Sequence, residues 1–295
     1  MFKGSIPALV TPFKNGKVDE KAFQAFVEWQ IAEGTDGVVP CGTTGEGTTM
    51  HPAEQERVIR LCVEAAAGRI PVMAGTGTNS TEKTIELTRA AKRAGADAAL
   101  VVCPYYNKPT QEGLYQHFKA INDAVDIPIF VYNIPGRSVV DMSDATLARL
   151  AKLANIVGVK DATADLSRPI KERNAIGKDF CLLSGDDPTA VSYLAAGGVG
   201  CITVTANVAP RRCADVQRAW REGNVKKAIE LQDQLMPLHQ ALFCETNPVP
   251  VKYAVSLLGK CSPDVRLPLV QLQEASKAIV REAMVRAGLI VDKAA

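Results

Sequence analysis

The amino-acid sequence predicts a closed (β/α)8 TIM barrel with a C-terminal helical appendage, and three observations carry that prediction. Eight short apolar, β-branched runs recur at intervals of roughly 20 to 35 residues, enough for a strand, a loop and one crossover helix. The runs are continuous and not alternating, which marks strands buried on both faces of a parallel sheet. The segments between them carry helical period.

The predicted strands are Ile6–Val10, Gly37–Pro40, Pro71–Ala74, Ala98–Cys103, Pro128–Val131, Ile156–Val159, Cys181–Leu183 and Val199–Ile202. Between the second and third, the stretch 51–69 puts Val58, Ile59, Cys62, Val63 and Ala66 on one stripe, with Pro52 in the first turn. Asn79, three residues before Glu82, has the spacing of a helix cap, and the helix it opens ends at Gly95. Shorter helices are expected at 144–153 and 188–196. Beyond about residue 206 the strand signal stops and at least three amphipathic helices follow, among them 224–243 and 268–288. The expected organisation is a barrel over 1–205, extending at most to 225, with 226–295 packed on it. The competing architecture is an open doubly wound sheet with a helical second domain.

Composition narrows the function classes. The 295 residues are 47% apolar, and 34 Lys and Arg stand against 32 Asp and Glu, so a net charge of +2 gives no pull toward nucleic acid or anionic lipid. The stretch 188–210 is uncharged and nearly long enough to span a membrane. Its glycines at 197, 198 and 200 and its polar Thr203, Thr205 and Asn207 favour a buried strand instead. The N-terminal stretch lacks the long apolar core of a secretory signal. None of the eight cysteines forms a C-x-x-C pair, and Cys41, Cys103, Cys181 and Cys201 lie in or beside apolar runs as core thiols do. These features together predict a cytoplasmic protein. The three isolated histidines offer no metal-binding spacing, and neither a Walker loop, a dinucleotide fingerprint nor a serine nucleophile elbow is present.

Barrel active sites lie at the C-terminal strand ends. Lys160 ends the apolar run 156–159. Partial burial favours a lysine's neutral amine, which attacks a ketone to give a Schiff base and so acidifies the neighbouring carbon. The competing reading is a lysine paired with Asp161 or another carboxylate. Tyr132, at the end of the fifth strand, stands beside it as a proton shuttle, oriented by a hydroxyl such as that of Thr43. The alternative for Tyr132 is a ring packed on the core. The loop Gly42–Gly47 offers hydroxyls and backbone amides suited to a carboxylate or phosphate, and Arg137 is either a bidentate carboxylate clamp or an ordinary surface arginine.

These residues together resemble the family of pyruvate-dependent Schiff-base (class I) aldolases. The resemblance runs from Gly4 to about Asn247. It rests on Gly42-Thr43-Thr44-Gly45-Glu46, Pro104-Tyr105-Tyr106-Asn107-Lys108-Pro109, Tyr132-Asn133-Ile134-Pro135-Gly136-Arg137, Gly158-Val159-Lys160-Asp161-Ala162 and Leu183-Ser184-Gly185-Asp186-Asp187. It implies that Lys160 forms the Schiff base with pyruvate, and that Tyr132, Thr43 and a Tyr106 from a neighbouring subunit relay protons. Thr44 then holds the pyruvate carboxylate, and backbone at Gly185 and Ile202 lines the pocket. Arg137 receives the carboxylate of a second substrate, aspartate semialdehyde, without metal or organic cofactor.

Arg137 and the Tyr105-Tyr106 pair favour the lysine-pathway branch of the family over aldolases for sugar-derived 2-keto acids, which are the alternative. Asp161 departs from the glutamate that many members carry, a change expected to be minor. A neighbour-supplied Tyr106 requires at least a dimer, and the family implies a homotetramer. Asn79 and Tyr105 match the positions of a lysine-binding allosteric site, but Pro52, Gln55 and Lys83 do not, so weak or absent feedback inhibition is expected.

Overall fold

The computed structural model describes residues 2–291. Its strands are β1 (Gly4–Pro7), β2 (Phe13–Lys14), β3 (Lys17–Val18), β4 (Met73–Gly75), β5 (Ala98–Val102), β6 (Ile129–Asn133), β7 (Ile156–Asp161), β8 (Cys181–Ser184) and β9 (Gly200–Thr203). Seven of them form one parallel sheet in the order β1-β9-β8-β7-β6-β5-β4. The gap between β1 and β4 is closed by the second predicted strand, reduced to single parallel bridges of Val39 to Ala8 and Val38 to Val72. Backbone bonds confirm the closure: Leu9 N–H donates to the Val39 carbonyl and Met73 N–H to that of Val38, each at 2.9 Å. This strand is short because Pro40 has no N–H to donate and Cys41 turns left-handed at φ 57°.

All eight predicted strand positions therefore take part in the barrel. The stretch 188–210 contributes buried β9, and among the described residues no helix is long and apolar enough to cross a membrane. Helix Thr81–Arg93 is capped by Ser80, whose Oγ accepts from Lys83 N–H, and not by Asn79, because the chain enters the helix one residue later than expected. The hairpin β2–β3 was not anticipated, although its turn residues Asn15 and Gly16, both at positive φ, are the strongest short-range hairpin signal.

The barrel interior is filled by Ile6, Val39, Met73, Leu100, Phe130, Tyr132, Leu183 and Ile202, all buried. The helices Pro210–Arg221, Val225–Ala241, Val249–Leu257 and Glu274–Arg286 share one continuous core with the barrel wall, in which Leu9, Phe13 and Phe23 meet Leu235, Leu238, Val251 and Met284. All eight cysteines are free, and Cys41, Cys103, Cys181 and Cys201 are buried; burial pushes the Cys103 and Cys181 thiols up to about 12.

One buried ion pair fastens the C-terminal region to the Gly42–Gly47 loop. Lys252 Nζ donates to Glu46 Oε1 at 2.6 Å with both side chains sealed from solvent, and Arg266 N–H donates to Glu46 Oε2 at 2.9 Å. Burial pulls the Lys252 ammonium below its ordinary value. Glu46 itself has a left-handed backbone, φ 55°. Replacing Lys252 with Met leaves a buried carboxylate without its partner and is expected to cost about 3–5 kcal/mol. Chemical denaturation measures this, and much of the loss returns in the Glu46→Gln/Lys252→Met double variant.

Candidate active site

The C-terminal strand ends bring the predicted residues together unequally. Parallel pairing sets Tyr132 of β6 directly opposite Lys160 of β7, and both side chains point inward. Lys160 Nζ lies over the Tyr132 ring, 4.0 Å from its centroid, and both residues are only 6% exposed. Among the described residues the Lys160 ammonium makes no ion pair, so the reading that paired it with Asp161 is not what the fold adopts. The Asp161 carboxylate turns to the opposite face, where it meets Arg168.

The wall next to Lys160 has no spare volume. A Cβ on Gly185 stands 3.0 Å from Lys160 Cε and 2.9 Å from Ala162 Cβ. Ile202 is buried in the interior cluster that contains Tyr132. Thr44 is buried, and its Oγ1 accepts from Asn247 Nδ2 at 3.0 Å. Arg137 is exposed at the rim and donates from Nη2 to the Asn247 carbonyl at 3.2 Å. Asn247 thus touches both candidate carboxylate-binding residues, a role the sequence reading missed.

Thr43 and Tyr132 border one cavity of about 710 Å³, although no hydrogen bond joins their hydroxyls in this chain. The cavity runs from the barrel mouth outward between helices Pro52–Ala66 and Thr81–Arg93. Asn79, Tyr105, Pro52, Gln55 and Lys83 all border it, so the positions compared with an allosteric site are contiguous with the mouth. Tyr106 stands apart: it is 88% exposed, held at φ 73°, and presents its ring to solvent and not to the pocket of its own chain.

Outside the barrel wall, behind the reacting pair, lies a buried charged cluster of Asp161, Arg168 and Glu172 with Asp141 and Asp144 at its edge. Burial, with Asp161 nearby, pushes the Glu172 carboxyl up to about 8.

A parallel barrel that brings a buried lysine and a tyrosine together at adjacent strand ends has the arrangement of the barrel enzymes, whose sites lie at that face. The comparisons place the chain among them. It belongs to the dihydrodipicolinate synthetase family, whose model matches residues 1–287. It is 67% identical over 290 residues to the 4-hydroxy-tetrahydrodipicolinate synthase of Rhodospirillum centenum, covering 98% of this chain and all of that one. Among solved structures it is similar to the dihydrodipicolinate synthase of Aquifex aeolicus, with 45% identity, a TM-score of 0.96, and coverage of 99% and 100% of the two chains. It is also similar to the chloride-inhibited dihydrodipicolinate synthase of Acinetobacter baumannii, solved with pyruvate, at 47% identity and TM-score 0.96, covering 98% of this chain and all of that one.

Two outcomes follow from this geometry. Substituting Ala for Gly185 pushes on Lys160 Cε, and steady-state kinetics should show turnover reduced about tenfold or more, since small displacements of a reacting group are costly, while the crowding against Ala162 also lowers the melting temperature. Glu172→Gln mimics the protonated side chain. Because the folded carboxyl titrates above its ordinary value of 4.5, the parent loses stability as pH rises from about 4.5 to about 8, and the variant does not. The melting temperature of Glu172→Gln should match the parent's near pH 4.5 and exceed it increasingly up to pH 8.

Proposed function

We propose that this chain condenses pyruvate with L-aspartate 4-semialdehyde to give 4-hydroxy-tetrahydrodipicolinate, the entry into the diaminopimelate route to lysine. The observation that carries this reading is Lys160: a buried lysine with no ion-pair partner among the described residues, packed on the ring of the tyrosine opposite it in register. A lysine amine at the strand ends, not engaged by a carboxylate, is placed to attack a bound ketone.

In this scheme the Lys160 amine adds to the ketone carbon of pyruvate and water leaves, forming an imine. Loss of a methyl proton gives the enamine, whose carbon attacks the aldehyde. The amino group of the second substrate then displaces the lysine amine and closes the ring. Tyr132 and Thr43, with Tyr106 of the partner subunit, move the protons. Thr44, steadied by Asn247, holds the pyruvate carboxylate, while backbone at Gly185 and Ile202 lines the pocket beside the imine. Arg137 at the rim receives the second carboxylate.

The exposure of Tyr106 supports a homo-oligomer in which each subunit lends this ring to its neighbour, and we read the assembly as a tetramer of two such dimers. Asn79 and Tyr105 mark a regulatory end of the cavity. With Pro52, Gln55 and Lys83 beside them, that end is a poor lysine site.

Aspartate semialdehyde should serve as the partner of pyruvate, with sugar aldehydes turned over at least tenfold more slowly in the same product assay. Arg137→Ala should lower kcat/KM for the semialdehyde by about 10- to 100-fold, as expected for loss of a bidentate clamp, while leaving Schiff-base formation with pyruvate intact. Preference for a sugar aldehyde would instead assign the chain to the sugar-acid aldolases.

A further inference from the structure

The register that pairs Tyr132 with Lys160 also pairs the next residues, Asn133 with Asp161. Strand alternation sends these two side chains to the outer face of the barrel wall, where one guanidinium spans them. Arg168, the first residue of helix Arg168–Ile176, places Nε 3.4 Å from Asp161 Oδ2 and Nη1 3.4 Å from Asp141 Oδ1. That same Asp141 oxygen accepts from Asn133 Nδ2 at 2.7 Å. Arg168 Nη2 donates to the Met142 carbonyl at 2.8 Å, and Met142 N–H donates to Asn133 Oδ1 at 3.1 Å. Besides its contacts with Asp144 and Glu172, Arg168 therefore reaches both the residue that directly follows Tyr132 and the one that follows Lys160.

The cluster is costly for the fold. Asp161 and Glu172 are buried with Arg168, Asp144 stands 3.5 Å from the guanidinium, and one buried oxygen each of Asp161 and Glu172 has no hydrogen-bond partner among the described residues. Apolar packing of the same volume is often as stable as a buried ionic cluster or more so, so stability alone gives little reason for one behind the reacting pair. A planar fork that fixes two strand ends at once does.

We propose that Arg168 is a positioning residue: by holding Asp161 and the Asp141–Asn133 pair, it locks the ends of β6 and β7 so that Lys160 Nζ stays aligned with Tyr132. This rests on the reading of Lys160 as the Schiff-base residue. Lysine at position 168 keeps the charge but lacks the fork, and Asp161→Asn keeps the acceptor for Thr163 N–H but loses the charge that Arg168 grips.

The test is the rate of borohydride trapping with pyruvate, per folded enzyme, for the full-length parent, Arg168→Lys, Asp161→Asn and the double variant, alongside melting temperatures. A misplacement of about 1 Å costs on the order of 10²-fold. Each single variant should therefore trap at least tenfold more slowly, and the double variant no more slowly than the slower single, since both act through one contact. Asp141→Asn, at a half-exposed position that still offers Asn133 an acceptor, should slow trapping threefold or more, and it reads the same path if a buried variant fails to fold. Folded variants that trap within twofold of the parent, or single losses that multiply in the double variant, would overturn the positioning role. Absence of any adduct on the parent would overturn both this role and the Schiff-base reading, whereas an adduct on the parent with unchanged variants overturns this role alone.

Discussion

Two neighbouring parallel strands in register, β6 and β7, set what the rest of the site can do. Because side chains alternate across a strand, fixing Tyr132 opposite Lys160 on the inner face fixes Asn133 opposite Asp161 on the outer face. The inner pair meets in a tightly filled interior where the lysine finds a ring and no carboxylate. The outer pair meets an arginine and its acids. A one-residue slip would exchange the two environments and place Lys160 among carboxylates, where an ion pair would suppress its nucleophilicity.

The remaining parts of the site depend on that register and are held from a distance. The Gly42–Gly47 loop, which carries Thr43 and Thr44, is tied to the C-terminal helices through Glu46 and Lys252 and through Asn247. The C-terminal region therefore completes the mouth of the barrel while it shares the core, and a change there reaches the site without touching a reacting atom.

Much of this was legible in the sequence. The eight strand positions stand out because a strand covered on both faces must be a continuous apolar run, and the polar residues that end those runs are the ones the barrel aims inward. Lys160, Tyr132 and the threonine loop could be found that way. The second strand is shorter than expected because Pro40 cannot donate to a ladder, and the helix after β4 starts at Ser80 because the cap depends on the path of the incoming chain. Arg168, Asn247 and Lys252 left no comparable mark. Arg168 reaches Asp141 across 27 residues, and Asn247 and Lys252 reach partners 203 and 206 residues away, contacts that only the closed barrel brings about. Lys252 left one trace, a lone charge in the otherwise uncharged helix Val249–Leu257.

The central claim is that the unpaired amine of Lys160 is the nucleophile. Incubating the protein with pyruvate, reducing with borohydride, and mapping the modified peptide by mass spectrometry tests it most directly. The account predicts one pyruvate-derived adduct per chain, on Lys160, with simultaneous loss of activity. An adduct on another lysine, or activity that survives reduction in the presence of pyruvate, would contradict it.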